Sequence, residues 1–190
     1  MNKLLTEIKQ CTVCRDFLQP NPVLSISNKS KIIIIGQAPG RIVHETGIPW
    51  NDKSGDNLRK WLAVDRDSFY NTAIFGIMPM GFCFPGTGKS GDLPPRAECA
   101  PLWHSRILKQ IKTVQLIILI GQYAQNYYLG NQIKTTLTDT VKSFTDYLPD
   151  YFVLPHPSPR NNIWMAKNKW FENDVLPELK KQVAEIIRHS

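Results

Sequence analysis

The chain has 190 residues, of which 42% are hydrophobic and 21% are charged, a composition that excludes a fibrous or disordered protein. No apolar run approaches the roughly 20 residues that a membrane-spanning helix needs, and the N-terminus lacks the apolar core of a signal peptide. We therefore expect a cytoplasmic protein with no membrane contact. The formal net charge of +7 favours a polyanionic partner such as nucleic acid.

The first predicted element is a short amphipathic helix over residues 2–10, and a CxxC pair, Cys11 and Cys14, follows it directly. In a reducing cytosol such a pair more often binds a metal or performs redox chemistry than forms a structural disulfide. A thioredoxin-like site would need the CxxC between a strand and a helix, which is not the context here. Together with Cys83 and Cys99, four thiolates for iron–sulfur or zinc are available. The alternative is that the cysteines are ordinary buried apolar side chains.

Residues 18–30 are predicted to be irregular, and residues 31–35 a strand. Four consecutive isoleucines predict a strand that is buried on both faces, as in a parallel sheet. Gly36-Gln37-Ala38-Pro39-Gly40 then forces a tight loop. Because ligands of open α/β sheets bind beyond the carboxyl ends of the strands, this loop is a candidate binding site.

The rest of the chain alternates predicted strands and helices. After a loop at residues 41–52, we expect a helix from residue 54 or 55 to 63, a strand at 71–80, a loop at 81–96, a helix at 97–112, a strand at 114–120, a helix from 121 or 122 to 129, a strand at 151–154 and a mostly helical segment at 164–189. Pro177 marks a break or a new first turn in that last segment, and residues 131–148 have no assignment. The alternation predicts a single domain over residues 1–190, a three-layer α/β/α sandwich with a central four-stranded parallel sheet.

The 81–96 loop contains Gly88-Lys89-Ser90, which resembles the end of a phosphate-binding P-loop. That motif needs a glycine where Cys83 stands, and a helix where Gly91 and Pro94 follow. A basic loop that lies on a nucleic-acid backbone fits these residues better, because compact domains rarely keep such long loops unused.

A second candidate loop follows the strand at 151–154, with the sequence His156-Pro157-Ser158-Pro159-Arg160-Asn161. In a parallel sheet it leaves the same edge as the Gly36 loop. Its prolines stiffen it, and a rigid loop is suited to holding a side chain against a wedged-open or flipped base.

The two loops together resemble the active-site motifs of the uracil-DNA glycosylase superfamily. Gly36-Gln-Ala-Pro-Gly40 is similar to the GEAPG motif of the family 4, iron–sulfur-containing glycosylases, and His156-Pro-Ser-Pro-Arg-Asn161 to the HPSPRN motif of the single-strand-selective monofunctional glycosylases. The four cysteines match the order and approximate spacing of the family 4 cluster ligands. Gly47-x-Pro49-Trp50, with Ser54, Gly55 and Leu58, resembles that family's GxPFxGxAGxxL segment.

This resemblance implies a role for each of these residues. His156 would stabilise negative charge at O2 of the departing uracil, backbone groups of Gly36, Ala38 and Pro39 would hold the base, and Trp50 would stack on it. Ser158, Pro159 and Arg160 would fill or support the gap left by the flipped nucleotide, with Arg160 also pairing with phosphate, and Asn161 would be a further substrate-binding residue. Cys11, Cys14, Cys83 and Cys99 would bind a 4Fe-4S cluster, with zinc or no metal as alternatives.

The sequence departs from the family pattern at two positions. Gln37 replaces the family 4 glutamate and cannot act as a base, although its carbonyl can orient water. Glu45 is our preferred carboxylate for that task, with Asp52 and His44 as alternatives. The asparagine that recognises uracil in the family would fall near Pro79, which leaves the excised base open.

The function predicted from the sequence is a monomeric DNA repair glycosylase, a hydrolase that flips uracil or a related damaged base out of DNA and excises it. One alternative is a non-catalytic protein that binds lesions or single strands on the same fold. Another is an enzyme that acts on a free nucleoside or nucleotide, which the long basic loop disfavours.

Overall fold

The computed structural model describes residues 1–89 and 91–189. The strands are β1 (Ile32–Ile35), β2 (Phe75–Ile77), β3 (Thr87–Gly88), β4 (Gly91–Asp92), β5 (Leu116–Ile120) and β6 (Tyr151–Leu154). The helices are α1 (Asn2–Lys9), α2 (Arg41–Thr46), α3 (Lys53–Leu62), α4 (Arg66–Tyr70), α5 (Cys99–Leu108), α6 (Gln122–Leu129), α7 (Leu137–Lys142), α8 (Asn162–Lys167) and α9 (Leu176–Arg188). A π-helical turn, Phe171–Val175, leads into α9.

Four parallel strands form the central sheet in the order β2-β1-β5-β6. Strand β1 lies in the middle, and all four of its isoleucines are buried, as expected for a strand covered on both faces. Helices flank this sheet, so the predicted α/β/α sandwich with a four-stranded parallel sheet is confirmed. All four strands end at the same edge, and the two motif loops leave from it.

The core is continuous from α1 to α9 and is built from aliphatic and aromatic side chains. Helix α3 buries Leu58, Trp61 and Leu62, and the Trp61 ring packs edge-on against Phe171 at 4.9 Å between centroids. Pro177 stands in the first turn of α9, directly after the π-helical turn, which agrees with the predicted break or new first turn. No helix in the described ranges is long and apolar enough to cross a membrane.

The structure corrects the prediction at two elements and fills in one stretch that had no assignment. Residues 41–46 form α2 rather than a loop, because Gly40 and a left-handed Gly47 flank a turn that buries Val43. Strand β2 is shorter than predicted, since α4 and a turn occupy the residues before it. The unassigned stretch contains α7, whose first turn the Thr136 side chain caps by accepting a hydrogen bond from the Asp139 N–H.

Candidate active site and cysteine cavity

A cleft of about 560 Å³ lies at the carboxyl edge of the sheet. Eight of the residues predicted from the sequence line it: Gly36, Gln37, Ala38, Pro39, Trp50, His156, Ser158 and Arg160. The fold therefore brings together two motif loops that are more than a hundred residues apart in the chain.

The Gly36 loop is held by backbone hydrogen bonds that continue beyond β2. The Met80 N–H donates to the Gly36 carbonyl at 2.8 Å, and the Gly81 N–H donates to the Gln37 carbonyl at 3.0 Å. These bonds fix the floor of the cleft and place Pro79 in its wall. The backbone groups of this loop are thus positioned before any ligand arrives.

Trp50 projects into the cleft from a backbone that an L-residue rarely adopts, with φ of 56°. Such a conformation costs roughly 1–3 kcal/mol and persists only where the surroundings enforce it. Here the buried Arg59 donates to the Trp50 carbonyl at 3.2 Å. A Cβ on Gly55 would lie 1.8 Å from that carbonyl oxygen, and one on Gly36 would lie 2.8 Å from Cζ2 of the indole, so both positions need glycine.

The His156 loop is fixed by two asparagine side chains. The Asn161 amide donates to the His156 carbonyl at 2.7 Å, and the Asn57 amide donates to the Pro157 carbonyl at 3.0 Å. The ring of His156 faces Trp50, with 5.7 Å between centroids. Asn161 is therefore a clamp on the loop and is not among the residues that line the cleft.

Burial lowers the pKa of His156 below its ordinary value near 6.5, and the nearby carboxylates of Asp52 and Asp92 oppose this shift only in part. His156 is consequently a neutral imidazole at neutral pH. A neutral ring can donate one N–H to an acceptor in the cleft without placing a full positive charge there.

The 81–96 segment is not an open loop, because β3 and β4 form a small antiparallel hairpin at the cleft. Thr87, Gly91 and Asp92 contribute to the cleft lining. Arg41 donates to Thr87 Oγ1 at 3.2 Å, which ties the hairpin to the segment after the Gly36 loop. Ser90, the last residue of the P-loop-like sequence, lies outside the described residues.

The structure does not bring Glu45 to His156. Glu45 lies on the exposed side of α2 and lines a separate depression of about 300 Å³, which we call the side pocket: Phe17, Arg41, His44, Glu45, Phe84 and Gly86 are among its residues. The carboxylates of the cleft are Asp52 and Asp92. Sequence reasoning missed Asp92 as a site residue, and only the hairpin, which the glycines at 88 and 91 signal weakly, places it there.

One comparison with known protein families bears on this cleft. The family model described as the uracil DNA glycosylase superfamily matches residues 25–180. The chain belongs to this superfamily.

The match includes both motif loops of the cleft, Trp50, Cys83 and Cys99, but begins after Cys11 and Cys14. Membership in the superfamily therefore agrees with the paired Gly36 and His156 motifs. The closer resemblance to the family 4, iron–sulfur type stays a prediction, because the CxxC pair lies before the matched residues.

The second notable site in this superfamily member is an apolar cavity that all four cysteines line, together with Phe82 and Trp103. We call it the cysteine cavity. Within residues 1–89 and 91–189, no three or more His, Cys, Asp or Glu side chains are grouped closely enough to form a metal site as they stand. The four cysteines nevertheless line one cavity, so their number and type suit a thiolate-bound metal group.

Burial raises the pKa of the thiols at Cys14, Cys83 and Cys99, in the last case to about 12. The backbone N–H of Phe82 donates to Cys99 Sγ at 3.4 Å and opposes the shift at that residue. Without a metal these thiols are therefore protonated, and metal binding would have to release their protons.

A buried histidine lies between the cleft and the cysteine cavity. Nε2 of His104 is 3.0 Å from the Pro79 carbonyl oxygen, and Nδ1 is 2.7 Å from the Tyr128 hydroxyl. Its ring stacks on Phe82, a residue of the cysteine cavity. Burial lowers the pKa of His104 to about 4, so the neutral ring donates to Pro79 and accepts from Tyr128.

Proposed function

We propose that this protein is a DNA glycosylase that hydrolyses the N-glycosidic bond of uracil, or of a related damaged base, after flipping the nucleotide out of DNA. The observation that most supports this is the arrangement of His156 and Trp50 beside the fixed backbone of the Gly36 loop. The cleft of about 560 Å³ has room for one flipped nucleoside.

The reaction needs stabilisation of two opposite charges. Breaking the bond between C1′ and the base develops negative charge on the leaving pyrimidine and positive charge on the sugar. The neutral His156 would donate its N–H to the O2 atom of the base as that negative charge grows. The acidic side chains of the cleft, Asp52 and Asp92, would favour the positive sugar.

The attacking water is assigned to a different residue from the one that the sequence favoured. Glu45 lies outside the cleft, whereas Asp52 lines it from the N-cap position just before α3. One Asp52 oxygen accepts from the Gly55 N–H at 2.8 Å, which holds the carboxylate in place. We propose Asp52 as the group that positions the water, with Gln37 contributing at most through its amide oxygen.

The remaining residues of the cleft would bind the nucleotide. Backbone groups of the loop from Gly36 to Pro39 would hold the edge of the base, and Trp50 would cover its face. The exposed Arg160 would pair with a phosphate, and Ser158 would contact the DNA beside it. Asn161 would act indirectly, by fixing the His156 carbonyl.

We further propose that Cys11, Cys14, Cys83 and Cys99 hold a 4Fe-4S cluster, with zinc as the alternative. The shared cavity and the four thiols support this assignment. When bound, such a group would cross-link the N-terminal segment, the region after β2 and the start of α5. We assign it a structural role and no part in the hydrolysis.

A second candidate function is a non-catalytic protein that binds damaged or single-stranded DNA. Gln37 favours it, because a glutamine cannot act as a base and its amide nitrogen lies 3.5 Å from the Leu93 carbonyl oxygen in the hairpin.

A time course on a labelled oligonucleotide with one uracil, followed by alkaline cleavage of abasic sites, separates the two. A glycosylase forms more product than there is enzyme. A binding protein forms none but retains tight, salt-sensitive binding.

A further inference from the structure

The side pocket lies next to the cleft and has no part in the proposed hydrolysis. At two points along the chain, a residue that lines the cleft is followed or preceded directly by one that lines the side pocket. Gly40 lines the cleft and Arg41 lines the side pocket, while Thr87 lines the cleft and Gly86 the side pocket. The two cavities therefore adjoin, with the segment at Gly40–Arg41 and the segment at Gly86–Thr87 forming the boundary between them.

Two phenylalanines give the side pocket the character of a stacking site. Phe17 is 66% exposed, an unusual position for a large aromatic residue, and the Arg96 guanidinium covers one face of its ring at 4.0 Å from the centroid, so a base would stack on the other face. Phe84 lies on the hairpin side, with its ring 5.8 Å from that of His44. Aromatic rings that face an open cavity beside cationic groups are the usual platform for an unpaired base.

The polar atoms of the side pocket also point to a ligand. Nδ1 of His44 is buried and has no hydrogen-bond partner in the part of the chain that the structure describes. A buried atom is out of a ligand's reach, so the polar contacts that the side pocket offers come from Arg41 and Glu45. Arg41 lies between the two cavities, where the phosphate that joins two nucleotides would pass.

We propose that the side pocket binds the base of the nucleotide adjacent to the flipped one, in single-stranded or locally opened DNA. This proposal rests on the proposed action on DNA, but not on turnover. The base stacks on Phe17 and Phe84, and Arg41 pairs with the intervening phosphate. Glu45 accepts a hydrogen bond from an exocyclic amino group, so adenine, cytosine and guanine bind better than thymine.

The test measures binding without cleavage. Fluorescently labelled single strands carry a stable abasic analogue at the centre, and the nucleotide on its 5′ or 3′ side carries cytosine, thymine or no base. We expect the wild-type protein to bind the strand with the neighbouring cytosine roughly tenfold more tightly on one of the two sides. The Phe17→Ala variant should reduce this preference to about twofold or less.

Tyr127→Ala is the matched control, because Tyr127 is also an exposed aromatic residue, 46% accessible, but lies outside both cavities. It should keep the wild-type preference. Glu45→Ala should keep the preference for cytosine over no base but lose the discrimination between cytosine and thymine. Equal binding of all strands by the wild type, or an equal loss in Tyr127→Ala, would overturn the proposal.

The result is separable from that of the excision assay. If the wild type prefers the neighbouring base and excises nothing, the side-pocket proposal stands and the glycosylase proposal fails. If it excises uracil but ignores the neighbouring base on both sides, the glycosylase proposal stands and the side-pocket proposal fails.

Discussion

The cleft and the cysteine cavity are neighbouring sites that the chain prepares in opposite ways. In the cleft, each motif loop is held by protein hydrogen bonds, such as those from Asn57 and Asn161 to the His156 loop. In the cysteine cavity, four half-buried cysteines line an apolar space, and burial raises the pKa of three of their thiols. The chain itself supplies the geometry of the cleft, whereas the cysteine cavity would gain further stability from the group that we propose it holds.

The largest expected effect comes from replacing one cysteine of the cysteine cavity. Cys99→Ser should abolish iron or zinc binding and lower the free energy of unfolding by about 4 kcal/mol, because a tightly bound group stabilises only the folded state. Metal analysis and urea unfolding measure both effects. Thr12→Ala, an exposed non-thiol change inside the CxxC sequence, should alter neither. Wild-type protein that contains no metal would contradict the assignment.

The next effect concerns His104, which connects the two sites. Its folded-state pKa of about 4 lies below the ordinary value of 6.5, so the unfolded chain binds a proton first as the pH falls. Stability is therefore full above about pH 6.5 and falls by about 3 kcal/mol as the pH approaches 4.

In His104→Gln, this fall in the free energy of unfolding at acid pH should be absent when stability is measured by urea unfolding. The control His189→Gln, at an exposed position, should keep it. Equal acid dependence in wild type and His104→Gln would show that His104 is not the source.

A smaller effect is expected when alanine replaces one of two glycines in the same loop, and it should differ between the two positions. Gly36→Ala would place a Cβ 2.8 Å from the Trp50 ring and should cost about 1–3 kcal/mol, with a loss of excision rate of about tenfold from the displaced indole. Gly40→Ala meets only Asp92 Oδ2 at 3.4 Å and should change both quantities little. The single-turnover excision rate and the unfolding midpoint should be measured for both variants. Similar values for the two would contradict a role of the Trp50 ring position in stability and excision.

The smallest expected effect is a change in the pKa of His156 when one carboxylate of the cleft is removed. Burial has the larger effect on the pKa of His156 and lowers it, whereas Asp92 raises it, so Asp92→Asn should move that pKa further below 6.5. The His156 ring protons, followed by NMR against pH, report the change directly. Asp150→Asn, an exposed aspartate away from the cleft, should leave the titration unchanged. A shift to higher pH would contradict the assigned cause.

Much of the fold was predictable because its strands have strong local signals. The isoleucine run of β1 and the short apolar run of β6 sit between turn residues, and each has a loop motif at its carboxyl end. The parallel sheet then places Gly36 and His156 at one edge, so their proximity follows from topology. The motif residues of the cleft were therefore accessible from the sequence.

The parts that were missed depend on tertiary contacts. Glu45 appeared to be an available carboxylate, but α2 turns it away from His156 and into the side pocket. Asp92 reaches the cleft only because β3 and β4 fold back over it. Neither the direction of a short helix nor the position of a two-residue hairpin is fixed by local propensity.

The measurement that tests the central claim most directly is the single-turnover rate of uracil excision by His156→Ala, compared with its affinity for the same DNA. We predict a rate about 10²–10³-fold lower with nearly unchanged affinity, because the His156 N–H acts mainly on charge that develops in the transition state. Folded Cys99→Ser, measured alongside, should stay within a few fold of the wild-type rate. Equal losses of rate and affinity in His156→Ala, or an unchanged rate, would contradict the account.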